Sequence, residues 1–420
     1  MTLADPRFAT DTNYTSGPNS GQPTKVTPST GRRAQGFGTD AVIAVPVLNA
    51  ILAAHGDHIT NLADVPSLDW TPQPAYVNAD VIAGASPNRN EADDPAIFFS
   101  AHERLILKTP GGGTGVTFHS RQRGQGNSYD NGDTSPFTAC ADSGATTGAA
   151  ILTAREQSTR IVAIDQSAGT ARQSTDYGAT WSAAGTYGGL AGPECGGFFD
   201  GAWHAANAGT PKEIFSSSTL SGAWTQTTLT ADADTYYRFI AANDGFVDVV
   251  GIFLPGTCTT TTQLLVKPQG SAWQVVTVTG AGASSGWRGD YNAATGVILI
   301  ADVTGRCYTS LDGLSWTLVY TEAEGCYDVA AHGGGFVLSC VTEDFTGAAT
   351  IPHLRFLAPG LAGAWASTRI PWEAPGASYS RYHLVRHRGR VYAGRVYIST
   401  ADRLEWWESD LNPAGMLVLA

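Results

Sequence analysis

The chain has 420 residues, and 25 Lys and Arg against 37 Asp and Glu leave a formal net charge of −12. Only 15% of residues are charged while 42% are hydrophobic, a balance that excludes a disordered chain. The negative charge excludes a general nucleic-acid binder, which needs surplus cations to displace counterions from phosphates. No run of 18 apolar residues occurs, so no membrane insertion is expected. The opening residues Met1 to Arg7 lack the basic and then apolar regions of a secretory leader. Cysteines at 140, 195, 258, 307, 326 and 340 contain no CxxC pair, so the expectation is reduced, buried thiols and no metal site. With 49 Gly, 21 Pro and 11 Trp against 2 Met, the composition is that of a turn-rich β protein.

In chain order, residues 9–39 come first, rich in Thr, Ser, Gly, Asn and Pro and without an apolar period. Pro46 then suits a first helical turn. Leu48, Ile51, Leu52, His55, Ile59 and Leu62 follow at steps of 3, 1, 3, 4 and 3, one apolar stripe at the α-helical period. Gly56 weakens that helix by about 1 kcal/mol relative to Ala. An isolated amphipathic helix needs another surface to cover its stripe. Residues 1–65 therefore read as an extended arm with one short helix, and residues 66–420 as a separate body.

The body reads as all-β. Ile161-Val162-Ala163-Ile164, Gly245-Phe246-Val247, Val275-Val276-Thr277-Val278, Val297-Ile298-Leu299-Ile300 and Phe336-Val337-Leu338 are strand-like and bounded by turn-forming residues. A repeat settles the architecture. Its clearest unit is Ser174-Thr175-Asp176-Tyr177-Gly178-Ala179-Thr180-Trp181, and Ser310-Leu311-Asp312-Gly313-Leu314-Ser315-Trp316 is a shortened copy. Degenerate copies end at Trp224, Trp273, Trp365 and Trp406, giving Trp-to-Trp intervals of 43, 49, 43, 49 and 41. A weaker copy ends at Phe118, 63 residues before Trp181. Such an interval is that of one four-stranded propeller blade. The expectation is a β-propeller of seven blades, with six or eight as alternatives, and with these aromatics at equivalent blade positions.

The unit S-x-D-x-G-x-T-W resembles the Asp-box of sialidase-like β-propellers. Its residue types have a local reason. The Ser and Asp side chains bond backbone N–H groups across a hairpin turn, Gly takes the positive-φ position, and Trp packs between units. Ser174, Asp176, Gly178, Trp181, Ser310, Asp312, Gly313 and Trp316 are thus structural. The resemblance also implies an alternative function, a sialidase-like glycoside hydrolase or a carbohydrate-binding propeller. Such an enzyme needs two carboxyls, or a Tyr and Glu pair, across a pocket, with arginines to clamp an anionic sugar. Arg369-Ile370-Pro371 is similar to the arginine motif of that family but follows most of the boxes instead of preceding them. Arg238, Arg288 and Arg355 have no partners assignable from spacing. No catalytic residue, metal ligand or cofactor site is assigned, and the chain is expected not to be an enzyme. The stretch carrying Arg381, Arg386, Arg388, Arg390 and Arg395 reads as two strands whose charges line a solvated face, suited to an anionic partner.

Gly21-Gln22-Pro23-Thr24-Lys25-Val26-Thr27-Pro28-Ser29-Thr30-Gly31, running on to Gly36-Phe37 and then Pro46-Val47-Leu48-Asn49, resembles the opening of many tailed-phage tail and fibre proteins. It departs from that pattern at Ala50, where those proteins usually carry Trp. The resemblance spans residues 13–60 and implies a segment that docks a protein onto a virion. The expected function is a structural component of a bacteriophage or phage-like particle, in tail, neck, baseplate or fibre. Residues 1–65 would hold other virion proteins through Leu48, Ile51, Leu52, Ile59 and Leu62. The propeller would be displayed, in several symmetric copies, for protein or host-surface glycan contacts. The protein would be made in the host cytoplasm and reside in the virion.

Overall fold

A computed structural model describes Trp70–Pro72, the strands between 97 and 139, and most of 150–409. The arm, the stripe at 48–62, the segment 369–371, Arg381, Arg388 and Cys140 lie outside the described residues. Every element among the described residues is a strand.

The strands form seven antiparallel sheets, five of four strands and two with a short fifth. Numbered in chain order, sheet I covers 97–139, II 150–186, III 195–229, IV 233–277, V 288–321, VI 326–368 and VII 383–409. Sheets I to VI are meanders in which each strand pairs with the next. The short strand Ser284–Ser285 adds to sheet IV, and Ser378–Tyr379 adds to sheet VII.

The first strand of each sheet packs against the first strand of the next: Ile97–Ala101, Ala150–Thr153, Cys195–Phe199, Ala233–Asn243, Arg288–Asn292, Cys326–His332 and His383–His387. The last of these returns to the first, so the inner strands close a circle. The protein is a β-propeller with four-stranded blades.

Sheet VII carries the seam. Its order is His383–His387, Arg390–Ile398, Arg403–Ser409 and then Trp70–Pro72, taken from the other end of the body. Trp70 faces Ser409 and Pro72 faces Trp407. Proline is tolerated there because the strand is outermost and needs no second ladder partner. Trp70 is buried with Trp407, Leu384, Val391, Val337 and Leu354, in the core shared by sheets VI and VII.

The strand order corrects two repeat assignments. Trp181, Trp224, Trp273 and Trp316 each immediately precede the fourth strand of their sheet, and Trp365 opens one. Trp406 instead sits inside the third strand of sheet VII, buried against Tyr392 with ring centroids 6.1 Å apart. The residue that opens the fourth strand there is Trp70, facing Ser409. Phe118 likewise lies inside a third strand, Val116–Gln122, opposite Lys108. The fourth strand of sheet I, Thr138–Ala139, follows Phe137 in sequence.

Packing between sheets depends on close approach at the inner strands. A Cβ at Gly197 would come within 2.5 Å of the Phe239 ring of the next sheet. Phe239 in turn lies 4.8 Å, centroid to centroid, from Phe253 in the largest core cluster. Outer edges are blunted differently. Ala184 and Val319 are extra residues that break register in the outer strands of sheets II and V. Such bulges twist an exposed edge away from pairing with another chain.

Two outcomes follow from the seam and the core. A chain beginning at residue 66 should melt as a single ring, whereas one beginning at residue 76 lacks the closing strand and should melt at lower temperature with loss of cooperativity. Trp273→Ala should cost about 3–5 kcal/mol in chemical unfolding, as expected for removing a packed indole.

Candidate functional site

The two complete boxes are turns between third and fourth strands, at the outer side of sheets II and V. In the first, Ser174 Oγ accepts from Gly178 N at 2.6 Å and donates to Asp176 Oδ1 at 2.7 Å. Asp176 also accepts from Thr180 N and from Thr180 Oγ1, at 2.8 and 2.6 Å. In the second, Gly313 N donates to Ser310 Oγ at 2.8 Å, while Leu314 N and Ser315 N donate to Asp312 Oδ1 at 2.8 and 3.0 Å. Both indoles fold back on their turn: Trp181 Nε1 donates to Gly178 O and Trp316 Nε1 to Gly313 O. Gly178 and Gly313 have φ of 89° and 74°, in the left-handed region that disfavours a side chain. The longer first box takes a second such residue, Tyr177, at φ 60°.

These bonds set the carboxyls' acidity. For Asp176, partial burial pushes the carboxyl up, but the bonds from Thr180 and Ser174 outweigh it and the net shift is down. For Asp312, the Ser315 N–H pulls the value down against partial burial, and Leu314 and Ser310 add to that pull. Both side chains are held ionised, as acceptors inside their own turns.

The degenerate copies keep the glycine and replace the acid. Gly222 and Gly270 retain positive φ, at 81° and 69°. In sheet III, Ser217 Oγ accepts from Leu220 N at 2.9 Å, in the manner of a box serine. In sheet IV the acid comes from the neighbour: Asp200, on a hairpin of sheet III, accepts from Gly270 N at 3.1 Å and pairs with Lys267. Burial raises the Asp200 carboxyl, but Lys267 and Gly270 more than reverse it.

A polar group that joins three sheets lies at the inner strands. Asp328, on sheet VI, accepts from Val329 N at 2.9 Å and from Leu384 N of sheet VII at 2.7 Å. Its Oδ1 is 2.9 Å from Arg238 Nη1 of sheet IV. Sheets IV and VI are not adjacent, so Arg238 reaches past the inner strand of sheet V, near the axis. Asp290, on that strand, accepts from Tyr291 N and from Ala331 N of sheet VI, each at 2.9 Å. Arg288 is half-buried beside it and donates to Trp287 O at 3.0 Å. Sequence spacing left Arg238 and Arg288 without partners. The topology, which brings inner strands of three sheets together, supplies Asp328 to Arg238.

Chemically this axial group is a set of latches. Both aspartates are buried and each is held by donors from its own and the following sheet. Two buried histidines line related inter-sheet positions. His204 contacts Ser216 Oγ at 2.7 Å and Phe199 O at 3.0 Å, edge-on to Trp273 of the next sheet. Burial pulls its pKa down to about 4. His332 is lowered to about 4 by burial and by the charges of Arg390 and Arg386. Lys212 is buried, its ammonium 5.8 Å from the centroid of the Tyr236 ring.

The basic stretch forms the expected pair of strands, His383–His387 and Arg390–Ile398. Its charges do not all face solvent. Arg390 is paired with Glu408 at 3.0 Å, with side-chain exposures of 11% and 3%, and donates to Ser409 O at 3.0 Å. It is a buried ion pair beside the seam, which corrects its place on an open anionic-partner face. Arg386 is half-buried on the inner strand, and Arg395 sits opposite Glu405 in register. The five described cysteines, Cys195, Cys258, Cys307, Cys326 and Cys340, are buried. Burial raises the Cys307 and Cys326 thiols, which keeps them protonated. Among the described residues no group of His, Cys, Asp and Glu side chains could hold a metal ion.

No family model matches the chain, and none of the curated proteins matches it. Among solved structures, "YCF48 bound to D1 peptide" is similar at 10% identity and a TM-score of 0.48, over 82% of this chain and 96% of that one. YCF48 from Cyanidioschyzon merolae is similar at 12% identity and a TM-score of 0.49, over 81% of this chain and 98% of that one.

Asp328→Ala should cost about 3–5 kcal/mol, because it leaves the Arg238 guanidinium without its counter-charge. Asp312→Ala, at a more exposed turn, should cost only about 1 kcal/mol. The histidines set an acid limit. Unfolded histidine takes up its proton near pH 6.5, whereas His204 and His332 resist it until about pH 4. The unfolded state therefore binds more protons in that window, and stability falls as pH drops from 6.5 to 4. The slope is up to about 1.4 kcal/mol per pH unit for each histidine. Urea unfolding at several pH values checks it, and His332→Gln should reduce the slope.

Proposed function

We propose that this chain is a structural component of a bacteriophage or phage-like particle, with residues 1–65 as its attachment arm and a ring of seven blades as its displayed body. One observation carries the reading. The strand Trp70–Pro72 is the outermost strand of sheet VII, so the chain that precedes it leaves the body at the rim and away from the axial strands. On this reading the phage-like segment at 13–60 would join the ring at its rim, where it could meet a neighbouring protein. Displayed loops and faces would then meet other proteins or host-surface glycans.

The engaged carboxylates favour a non-enzymatic role. Asp176 and Asp312 are held inside their own turns, and Asp290 and Asp328 are tied to backbone N–H groups between sheets. Glycoside hydrolysis needs one carboxyl able to give up a proton and a second free to attack or to activate water.

Incorporation into assembled particles tests the reading. A chain beginning at residue 66 should fold with a normal melting profile and be missing from purified particles. Leu48→Asp combined with Leu52→Asp in the full chain should give the same defect. Normal incorporation of either variant would refute the attachment role, and release of sugar from host-surface glycans by the full chain would favour the hydrolase instead.

A further inference from the structure

The described residues expose four large hydrophobic side chains, and three of them belong to the outer edge of sheet V, two in its box turn and one in its fourth strand. Leu311 is 69% exposed, Leu318 50% and Leu314 39%. The turn does not need them. In the sister box of sheet II the corresponding residues are Thr175, Ala179 and Ala183, and that turn is bonded in the same way. Between Ser310 and Thr321 the one charged side chain is Asp312, whose carboxylate is occupied inside the box. The result is an uncharged aliphatic patch on a body whose chain carries a net charge of −12.

We propose that, before assembly, this patch seats the apolar stripe Leu48, Ile51, Leu52, Ile59 and Leu62 of the same chain. The inference rests on the reading of residues 1–65 as an attachment arm and adds a stored position for it. The stripe reads from the sequence as a face of aliphatic residues, and the patch is its chemical match. Chain length permits the contact. Leu62 lies eight residues before Trp70, a span of up to about 26 Å when extended. A helix from Leu48 to Leu62 adds about 21 Å. Sheet V is two places from sheet VII round the ring. A stripe held on the ring cannot simultaneously hold a partner on the particle, so assembly would exchange one apolar surface for the other. An aliphatic face that would otherwise promote aggregation is covered in the meantime.

The test places the photoreactive residue p-benzoylphenylalanine at Leu314 in the full-length protein and maps its cross-links by mass spectrometry. Cross-links to residues 46–62 within one chain are expected, and they should vanish when Leu48→Asp and Leu52→Asp are added. Cross-links that join two chains, or that land on the ring alone, would overturn the proposal. As a second readout, Leu311→Asp, Leu314→Asp and Leu318→Asp together should leave the melting of the ring unchanged. Chymotryptic cleavage within 48–62 should then be about five-fold faster or more. An unchanged cleavage rate would overturn it equally. The two readings fail separately: loss of the cross-link leaves the incorporation defect of Leu48→Asp with Leu52→Asp untouched, and normal incorporation of that variant leaves the cross-link untouched.

Discussion

The pairing of Trp70–Pro72 with Arg403–Ser409 joins segments more than 300 residues apart, and the rest of the architecture depends on it. Six of the seven sheets are local meanders, each cheap in loop entropy because its strands are near neighbours in sequence. A row of such sheets has two free ends, each exposing an apolar face. Packing of the inner strands His383–His387 and Ile97–Ala101 brings these ends together. Adding Trp70 to the core between sheets VI and VII then fixes the closure. The closing strand is only three residues long, so its hold rests more on the buried indole than on the number of ladder bonds.

Between adjacent sheets a second kind of tie recurs. Asp200, Asp290 and Asp328 each leave their own sheet to accept an N–H from the next one or beyond. A chain with few charges has placed several of them where they act between repeating units. Buried carboxylates that bond to specific N–H groups penalise a sheet that slides or rotates against its neighbour, a restraint that aliphatic contacts alone supply poorly. Arg238 extends the restraint across three sheets by bonding Asp328 past sheet V. The cost is sensitivity to acid, since the neighbouring histidines are kept neutral by the same burial.

Much of this was legible in the chain. Strand class and repeat spacing follow from Trp181, Trp224, Trp273, Trp316 and Trp365, because one indole per sheet sits at the same turn and carries the same packing duty. Trp406 misled for a physical reason: a repeat register read along the chain assumes that each unit is continuous, and the seam breaks that continuity. Phe118 misled because the fourth strand of its sheet, Thr138–Ala139, comes 20 residues later, after Phe137. Trp70 was readable as the missing indole only once the ring was known to close. The axial latches were hidden more deeply. Asp290, Asp328 and Arg238 are isolated in sequence, and the packing of the inner strands of sheets IV, V and VI makes them neighbours. Arg390 read as part of an exposed basic strand because its partner Glu408 comes from a different strand of the sheet, with no fixed spacing to betray it.

The position of the seam also gives the molecule a direction of mechanical weakness. Any tension applied through residues before Trp70 enters the ring at a strand of only three residues, beside the Arg390 and Glu408 pair. The other six sheets lie off the line of pull, since each is closed within itself. Load would therefore be borne first by the Trp70 indole and a few ladder bonds, and yielding there would open the circle at one defined place while leaving six meanders folded. A tethered ring of this design has its fuse built next to its anchor.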